Sequence, residues 1–148
     1  MLVDDFQSEV IAFEAISRPD HRAGLPIMES AMNLDPVDAE MASCETRSRQ
    51  ATQAGAQAFA RLLQLAQERD SGQIHRIARF LAATYNGQAF PLDPFELRAV
   101  DITISDDMLC CLDALRWARA DLYTLVPDGD SRMRAVIDRW GLQWPAGD

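Results

Sequence analysis

The chain contains 148 residues, of which 48% are hydrophobic and 25% are charged, and its formal net charge is −9. This length and composition are typical of one globular domain, with room for an extended arm. All 14 basic residues are arginines. The absence of lysine excludes Schiff-base enzymes, pyridoxal-phosphate enzymes and Walker-type phosphate loops, because each needs a lysine amine. The negative charge argues against direct nucleic-acid binding.

The N-terminal residues and the cysteines indicate where the protein resides. The first ten residues, MLVDDFQSEV, carry three acidic residues where a secretory signal would carry positive charge followed by an apolar run. The longest uncharged stretch, between Arg79 and Asp93, is too short and too polar to cross a bilayer. Three cysteines without regular spacing fit a reducing compartment. We therefore expect a cytoplasmic protein that makes no membrane contact.

The first third of the chain combines helical periodicity with a loop. Apolar residues at spacings of three and four predict a helix over about residues 4–17. Proline and glycine predict a loop over 18–34, with at most one short helical turn. A second helix is expected to start at Asp35-Pro36, where aspartate can cap and proline fits the first position. The Ala/Gln-rich run Gln50–Ala58 is compatible with a helix or a flexible arm.

The central third has the clearest helical pattern. An apolar face over residues 56–66 predicts one helix, and the stripe from Ile74 to Tyr85 predicts another. Asp70 and Gln73 have the spacing of a capping box for the second of these helices. Asn86-Gly87 is expected to end it with a left-handed residue.

The last third is also helical in pattern. A short helix is predicted from Asp93-Pro94, and a long one after Ser105, with a stripe from Met108 to Leu122. A last helix is expected after Asp130 or Ser131 and is expected to stop at Gly141. No segment shows a convincing period-two strand pattern.

These elements predict an all-α, single-domain bundle of four to six helices. Residues 1–55 are expected to form an acidic helical extension or arm, because this part is polar and carries most of the negative charge. Residues 56–148 are expected to form the helical core domain, because the strong apolar stripes lie there.

The sequence contains no pattern that is typical of metal binding or catalysis. His21 and His75 have no histidine or cysteine partner at ligand spacing. Cys110 and Cys111 are adjacent on a predicted helix, so their side chains diverge by about 100°. The run Asp128-Gly129-Asp130 resembles the start of a calcium loop, but the pattern fails at the third ligand position. We predict no metal, no cofactor and no catalytic residue.

An acidic row in the predicted second helix is the first candidate for partner binding. Asp35, Asp38, Glu40 and Glu45 could line one side of that helix. Such a row can imitate DNA phosphates and occupy a basic groove on another protein. The alternative is an ordinary solvated acidic surface.

Two aromatic residues that lie off the apolar stripes are the second candidate. Phe80 lies about 100° from the apolar centre of its helix, near Arg76, and Trp117 lies almost opposite the main stripe. Burial against a second neighbour is the favoured interpretation. The other interpretation is an exposed anchor for a partner, rimmed by arginine. Arg76, Phe80 and Trp117 are therefore kept as candidate partner-binding residues.

Two segments resemble the recurrent motifs of a protein family. The run DSGQIHRIARFL over residues 70–81, followed by Asn86, resembles the DTGQ-type motif of small uncharacterised proteobacterial proteins. Val100-Asp101 and the run 104–108 resemble the second recurrent block of that family. The resemblance covers roughly residues 60–140. It implies an origin on plasmids or integrative elements, and it implies no established activity.

Three functions remain open. The first is a non-catalytic binding protein, an accessory or regulatory factor of a mobile element that blocks a host defence or nucleic-acid enzyme. The second is a homo-oligomeric structural module, for example a homodimer. The third is an enzyme with an unfamiliar site built from charged residues such as Asp70, Arg76, Asp106 and Asp107. We rank them in this order.

Overall fold

The structure is a computed structural model that describes residues 35–147. This part of the chain contains no β-strand, and its two 3-10 helices are Pro94–Arg98 and Leu122–Leu125. Its four α-helices are α1 (Pro36–Glu68), α2 (Gly72–Tyr85), α3 (Ile102–Trp117) and α4 (Gly129–Arg139). The predicted all-α class is therefore confirmed for residues 35–147. The helix predicted over 4–17 and the loop predicted over 18–34 lie outside the described residues.

The chain divides into two compact units, residues 1–43 and residues 44–148. Within the first unit the structure describes residues 35–43, which are exposed, and residues 36–43 form the beginning of α1. The carboxylate of Asp35 accepts a hydrogen bond from the backbone N–H of Val37 at 3.1 Å. The predicted start at Asp35-Pro36 is therefore confirmed, because Asp35 precedes the helix and Pro36 is its first residue.

Helix α1 runs without interruption for 33 residues. The run Gln50–Ala58, for which the sequence left helix and arm open, is helical. The predicted division of the chain at residue 55 thus falls inside a continuous helix. Gly55 is buried there, where α1 crosses α3, and its carbonyl oxygen accepts a weak hydrogen bond from the Cys111 thiol at 3.8 Å. Contacts with α3 therefore offset the low helix propensity of glycine.

The core of the second unit is formed by the apolar faces of all four helices. Trp140 closes one end of it, since its indole N–H donates a hydrogen bond to the carbonyl oxygen of Ala66 at 2.9 Å. The largest fully buried side chains are those of Phe59, Leu62, Leu63, Ile77, Phe80, Leu81, Met108, Cys111, Leu122, Met133, Val136 and Ile137. None of the helices within residues 35–147 combines the length and apolar character that a membrane span requires.

The two ends of α2 differ from the sequence prediction. The predicted capping box is wrong, because Ser71 is the N-cap and its side chain makes no capping hydrogen bond. Gln73 exchanges hydrogen bonds with Asp101 instead. The helix does end at Tyr85, but Asn86 is extended with φ −150° and is not left-handed. Its carboxamide oxygen accepts backbone N–H groups of the following turn.

Helix α3 starts earlier and ends earlier than predicted. It begins at Ile102, so Ser105 lies inside it and is buried, and the prediction of Ser105 as its cap is wrong. It ends at Trp117, because Ala118 adopts the left-handed conformation with φ 53°. Leu122 belongs to the second 3-10 helix, although it is buried as the apolar stripe predicted.

Helix α4 begins slightly earlier than expected. It starts at Gly129 with Asp128 as the N-cap, so neither Asp130 nor Ser131 caps it. Its predicted stop is confirmed, since Arg139 is its last residue and Gly141 has φ +62°.

Candidate functional site

A shallow depression beside Trp117 brings together residues from α1 and α3 of the second unit. It has a volume of about 280 Å³. We call this depression with its rim the Trp117 surface, and its lining residues are Arg47, Gln50, Ala51, Ala54, Asp113, Arg116 and Trp117. Small alanine side chains leave the space, and the indole ring forms one wall.

Trp117 is half-buried, and two guanidinium groups lie over its ring. The Cζ atom of Arg47 is 5.6 Å from the ring centroid, and that of Arg116 is 5.3 Å from it. Both distances lie within the range of cation–π attraction. The ring is therefore neither a core residue nor an isolated exposed aromatic. The two guanidinium groups form an arginine rim around the ring, as in the second interpretation, whereas the ring itself is half-buried.

The charged groups around the Trp117 surface include more cations than anions. Arg119 contacts Glu45 at 2.9 Å, and Arg49 contacts the same carboxylate at 3.1 Å. Hydrogen bonds from Arg119 and then Arg49 hold the pKa of Glu45 below its usual range. Arg116 pairs with Asp113 at 2.5 Å. Three arginines therefore bind two carboxylates, and Arg47 forms an ion pair with neither of them.

Phe80 and Arg76, the other partner-binding candidates on α2, do not line the Trp117 surface. Phe80 is 1% exposed and belongs to the core, in agreement with the favoured interpretation, so in this structure it offers no surface to a partner. Arg76 holds the carboxylate of Glu96 at 2.6 Å. Arg79, one turn later on α2, holds the other carboxylate oxygen at 3.0 Å.

Glu96 is a structural residue that the sequence interpretation did not single out. Its side chain is 7% exposed, while the side chains of Arg76 and Arg79 remain 44% and 49% exposed. The ion pairs attach the first 3-10 helix to α2. Phe95 on the same 3-10 helix is 63% exposed, and the Arg98 guanidinium lies over its ring. No local signal could have identified this cluster, because Glu96 lies 20 residues from Arg76 in the chain.

The candidate acidic residues do not share one environment. Asp35, Asp38 and Glu40 belong to the first unit and are exposed. Asp35 is engaged in the start of α1. Glu45 belongs to the second unit, where two arginines bind it. Its charge is thus used in these two ion pairs, and the suggested mimicry of DNA phosphates rests on the other three residues.

The two motif segments meet where α2 and α3 begin. Gln73 donates to the Asp101 carboxylate at 3.0 Å and accepts from the Asp101 backbone N–H at 2.6 Å. Two cavities of about 510 and 590 Å³ lie here and share Leu65, Arg69, Thr103 and Ile104 in their linings. The resemblance to a recurrent motif thus corresponds to a structural junction that fixes two helix starts.

The charged residues suggested for an enzyme site have separate partners. Asp70 pairs with Arg139 at 2.7 Å, and Asp107 makes a two-point contact with Arg61 at 2.7 and 3.0 Å. Arg76 is committed to Glu96, and Asp106 is exposed. The structure therefore assigns structural contacts to Asp70, Arg76 and Asp107.

The cysteines and His75 have structural environments. Burial raises the pKa of the Cys111 thiol to about 12, whereas Cys44 is exposed and Cys110 is intermediate. The expected divergence of Cys110 and Cys111 is thus confirmed. His75 lies beside Trp140, with ring centroids 5.7 Å apart. Within residues 35–147, no group of three or more metal-ligating side chains could hold a metal ion.

Comparison with known proteins gives one result. The model of a family described as a family of unknown function (DUF7673) matches residues 56–141. The matched region includes both motif segments, α2, α3 and α4, and is close to the range over which the sequence resembles an uncharacterised family. No curated protein and no solved structure matches the chain.

Proposed function

The chain belongs to the DUF7673 family of unknown function, and we propose that it is a non-catalytic protein-binding module whose contact site is the Trp117 surface. The proposal includes an accessory or regulatory role in a mobile genetic element, for example inhibition of a host defence or nucleic-acid enzyme. It also includes a cytoplasmic location.

The observation that carries the proposal is the state of Trp117. A half-exposed tryptophan between two arginines, at the edge of a depression, has the composition of a binding hot spot. Tryptophan and arginine contribute large contact areas and directional hydrogen bonds at protein interfaces. The surface is formed by helices, so its geometry is largely set before a partner arrives.

Binding at this surface would use contacts that are already oriented. The indole ring offers apolar area at a low entropy cost, since the flanking guanidinium groups restrict its motion. Arg47 extends over the ring and makes no ion pair within the part of the chain that the structure describes. Its N–H groups can therefore bind acceptors on a partner without breaking an existing pair.

A pull-down from a lysate of the organism that encodes the chain tests the proposal. The full-length tagged protein is compared with Trp117→Ala and with a matched control, Arg134→Ala. Arg134 is an exposed arginine on α4 that does not line the Trp117 surface. We expect one dominant partner, identified by mass spectrometry, that the wild-type and Arg134→Ala proteins retain and Trp117→Ala loses.

Circular dichroism of each variant shows whether the helices are intact, so a lost partner can be assigned to the surface. A partner that Trp117→Ala retains at the wild-type level would reject the Trp117 surface as the contact site. A set of four charge reversals at Asp35, Asp38, Glu40 and Glu45 provides the comparison with acidic mimicry. If the charge-reversal variant loses the partner and Trp117→Ala retains it, the contact site is assigned to the acidic residues.

A homo-oligomeric module is the second candidate function. Ile102 is 74% exposed and Leu109 is 52% exposed, and a spacing of seven residues places them on the same face of α3. Such a face can pair with its counterpart in a second copy. Sedimentation equilibrium of the full-length protein tests this, with Leu109→Asp as the variant. A strictly monomeric mass would contradict it.

A further inference from the structure

The sign of the local charge at the Trp117 surface is opposite to that of the whole chain. The chain carries −9, but the lining of this surface holds Arg47 and Arg116 with one carboxylate, Asp113, while Glu45, two residues before Arg47, is bound by Arg49 and Arg119. At physiological salt the Debye length is about 8 Å, so a docking segment senses the local cations more than distant acids. The surface therefore favours an anionic partner segment.

Most of the hydrogen-bonding capacity left at the surface is of the donor type. Asp113 in its lining and Glu45, two residues before Arg47, are both engaged by arginines. Arg47 has no carboxylate partner among residues 35–147, and the contact of Arg116 with Asp113 uses its Nε atom. Guanidinium groups match carboxylates in geometry and charge. The groups that a partner has to supply are therefore acceptors.

The floor of the depression requires an apolar group as well. Its lining includes Ala51, Ala54 and the ring of Trp117 beside the charged side chains. A volume of about 280 Å³ accommodates one or two side chains but no folded element. An apolar side chain placed here would bury the indole wall and exclude water from the neighbouring ion pairs.

The following inference rests on the proposed function. We propose that the Trp117 surface recognises an acidic segment of a partner protein. An apolar side chain of that segment fills the depression, and its flanking carboxylates bind Arg47 and Arg116. A polypeptide fits better than a polynucleotide. The engaged carboxylates of Glu45 and Asp113 interrupt any continuous basic track, and a polyphosphate would extend into the negative field of the chain.

Fluorescence anisotropy with a defined probe tests this inference on the full-length protein. The probe is a labelled ten-residue peptide with one central leucine flanked by glutamates, measured at low salt. Control peptides replace the glutamates by glutamines or the leucine by serine. We expect the acidic peptide to bind about tenfold more tightly than either control, and to weaken at higher salt.

The protein variants assign the binding to the surface. We expect Arg47→Ala and Trp117→Ala each to lower the affinity for the acidic peptide about tenfold. Arg134→Ala should leave that affinity within about twofold of the wild-type value. Arg47 is exposed on α1, so Arg47→Glu gives a second variant that should fold normally and abolish binding. Equal binding by the wild-type protein and Arg47→Glu would overturn the inference.

Two further outcomes would also overturn it. One is failure of the acidic peptide to bind at millimolar concentration. The other is tighter, Trp117-dependent binding of a single-stranded oligothymidylate, which would assign the surface to nucleic acid. If the peptide fails while a lysate partner still depends on Trp117, the proposed function stands and only the acidic chemistry is rejected.

Discussion

Glu96 is the one buried charged residue within the range 35–147 that the structure describes. Burying a carboxylate is costly unless it is paired and hydrogen-bonded. Arg76 and Arg79 supply the pairing from successive turns of α2, one on each carboxylate oxygen. Since both arginines remain partly in solvent, the cluster secures the first 3-10 helix without burying three charges.

We expect Glu96→Gln to lower the free energy of unfolding by about 1–3 kcal/mol, because it removes the charge-assisted hydrogen bond from Arg76 and the ion pair with Arg79 at a buried position. Urea denaturation followed by circular dichroism measures the change. Asp70→Asn is the matched control, since the Asp70 side chain is 83% exposed in its pair with Arg139. That control should lower the free energy of unfolding by no more than about 0.5 kcal/mol. Equal losses would contradict the assigned role of Glu96.

Cys111 makes the free energy of unfolding decrease as the pH rises into the alkaline range. Burial raises the pKa of its thiol to about 12 in the folded protein, against about 8.5 in an unfolded chain. Below pH 8.5 both states hold the proton. Above that pH the unfolded chain loses it first, so the free energy of unfolding falls by up to about 1.4 kcal/mol per pH unit towards pH 12.

We expect Cys111→Ala to lose less stability than the wild-type protein between pH 8 and pH 10.5. The hydrogen bond to Asp130 and partial burial raise the pKa of Tyr85 as well, but Tyr85 contributes equally to both proteins. The difference between the two pH slopes therefore isolates Cys111. Urea denaturation at the two pH values measures it, and parallel slopes would disprove the effect.

At the scale of elements, the crossing of α1 and α3 depends on a small residue. A Cβ atom at Gly55 would overlap the Cβ of Ala114 and crowd the carbonyl oxygen of Cys110. Alanine normally stabilises a helix interior relative to glycine by about 0.5–1 kcal/mol. At this position steric overlap outweighs propensity, because the two helix backbones approach closely.

We expect Gly55→Ala to destabilise the protein by about 1–3 kcal/mol, despite its favourable propensity. Gly72 is the matched control, because a Cβ atom there meets nothing within 4 Å. Gly72→Ala should be neutral or slightly stabilising. The double variant Gly55→Ala/Ala114→Gly should recover part of the loss. Thermal unfolding measures all three, and stabilisation by Gly55→Ala would refute the packing argument.

Helix ends show how much of an element the sequence can predict. The starts and stops made by local groups were predicted correctly at Asp35-Pro36 and at Gly141. The start of α2 was predicted incorrectly, because Gln73 binds Asp101, which is 28 residues away, instead of closing its own first turn. Local patterns identify a residue that can cap, but they do not reveal a distant competitor for its side chain.

At the scale of the whole molecule, the hydrophobic core found among residues 35–147 lies in the second unit. Every buried residue within the described range lies between Ser48 and Ile137. The family match begins at residue 56, twelve residues after that unit begins. The first turns of the second unit contribute Ser48, Ala51 and Gly55, which are buried.

We expect a chain of residues 44–148 to unfold cooperatively, with a melting temperature within about 5 °C of the full-length protein. A chain of residues 56–148 should melt at least about 5 °C lower, because it lacks the crossing at Gly55 and the Glu45–Arg119 pair. Circular dichroism on heating measures the melting temperatures of the full-length protein and the two shortened chains. Equal melting temperatures for both shortened chains would support a core domain that starts at residue 56.

The sequence by itself determined the all-α class, the central helix from Ile74 to Tyr85 and the core position of Cys111, because helical periodicity is a local property of the chain. It also identified Trp117 as a residue off the main stripe. Only the tertiary structure decided that Phe80 is buried while Trp117 lies under two arginines, and that Arg76 binds Glu96. Those outcomes depend on which residues distant in the chain become neighbours, and no local pattern records that.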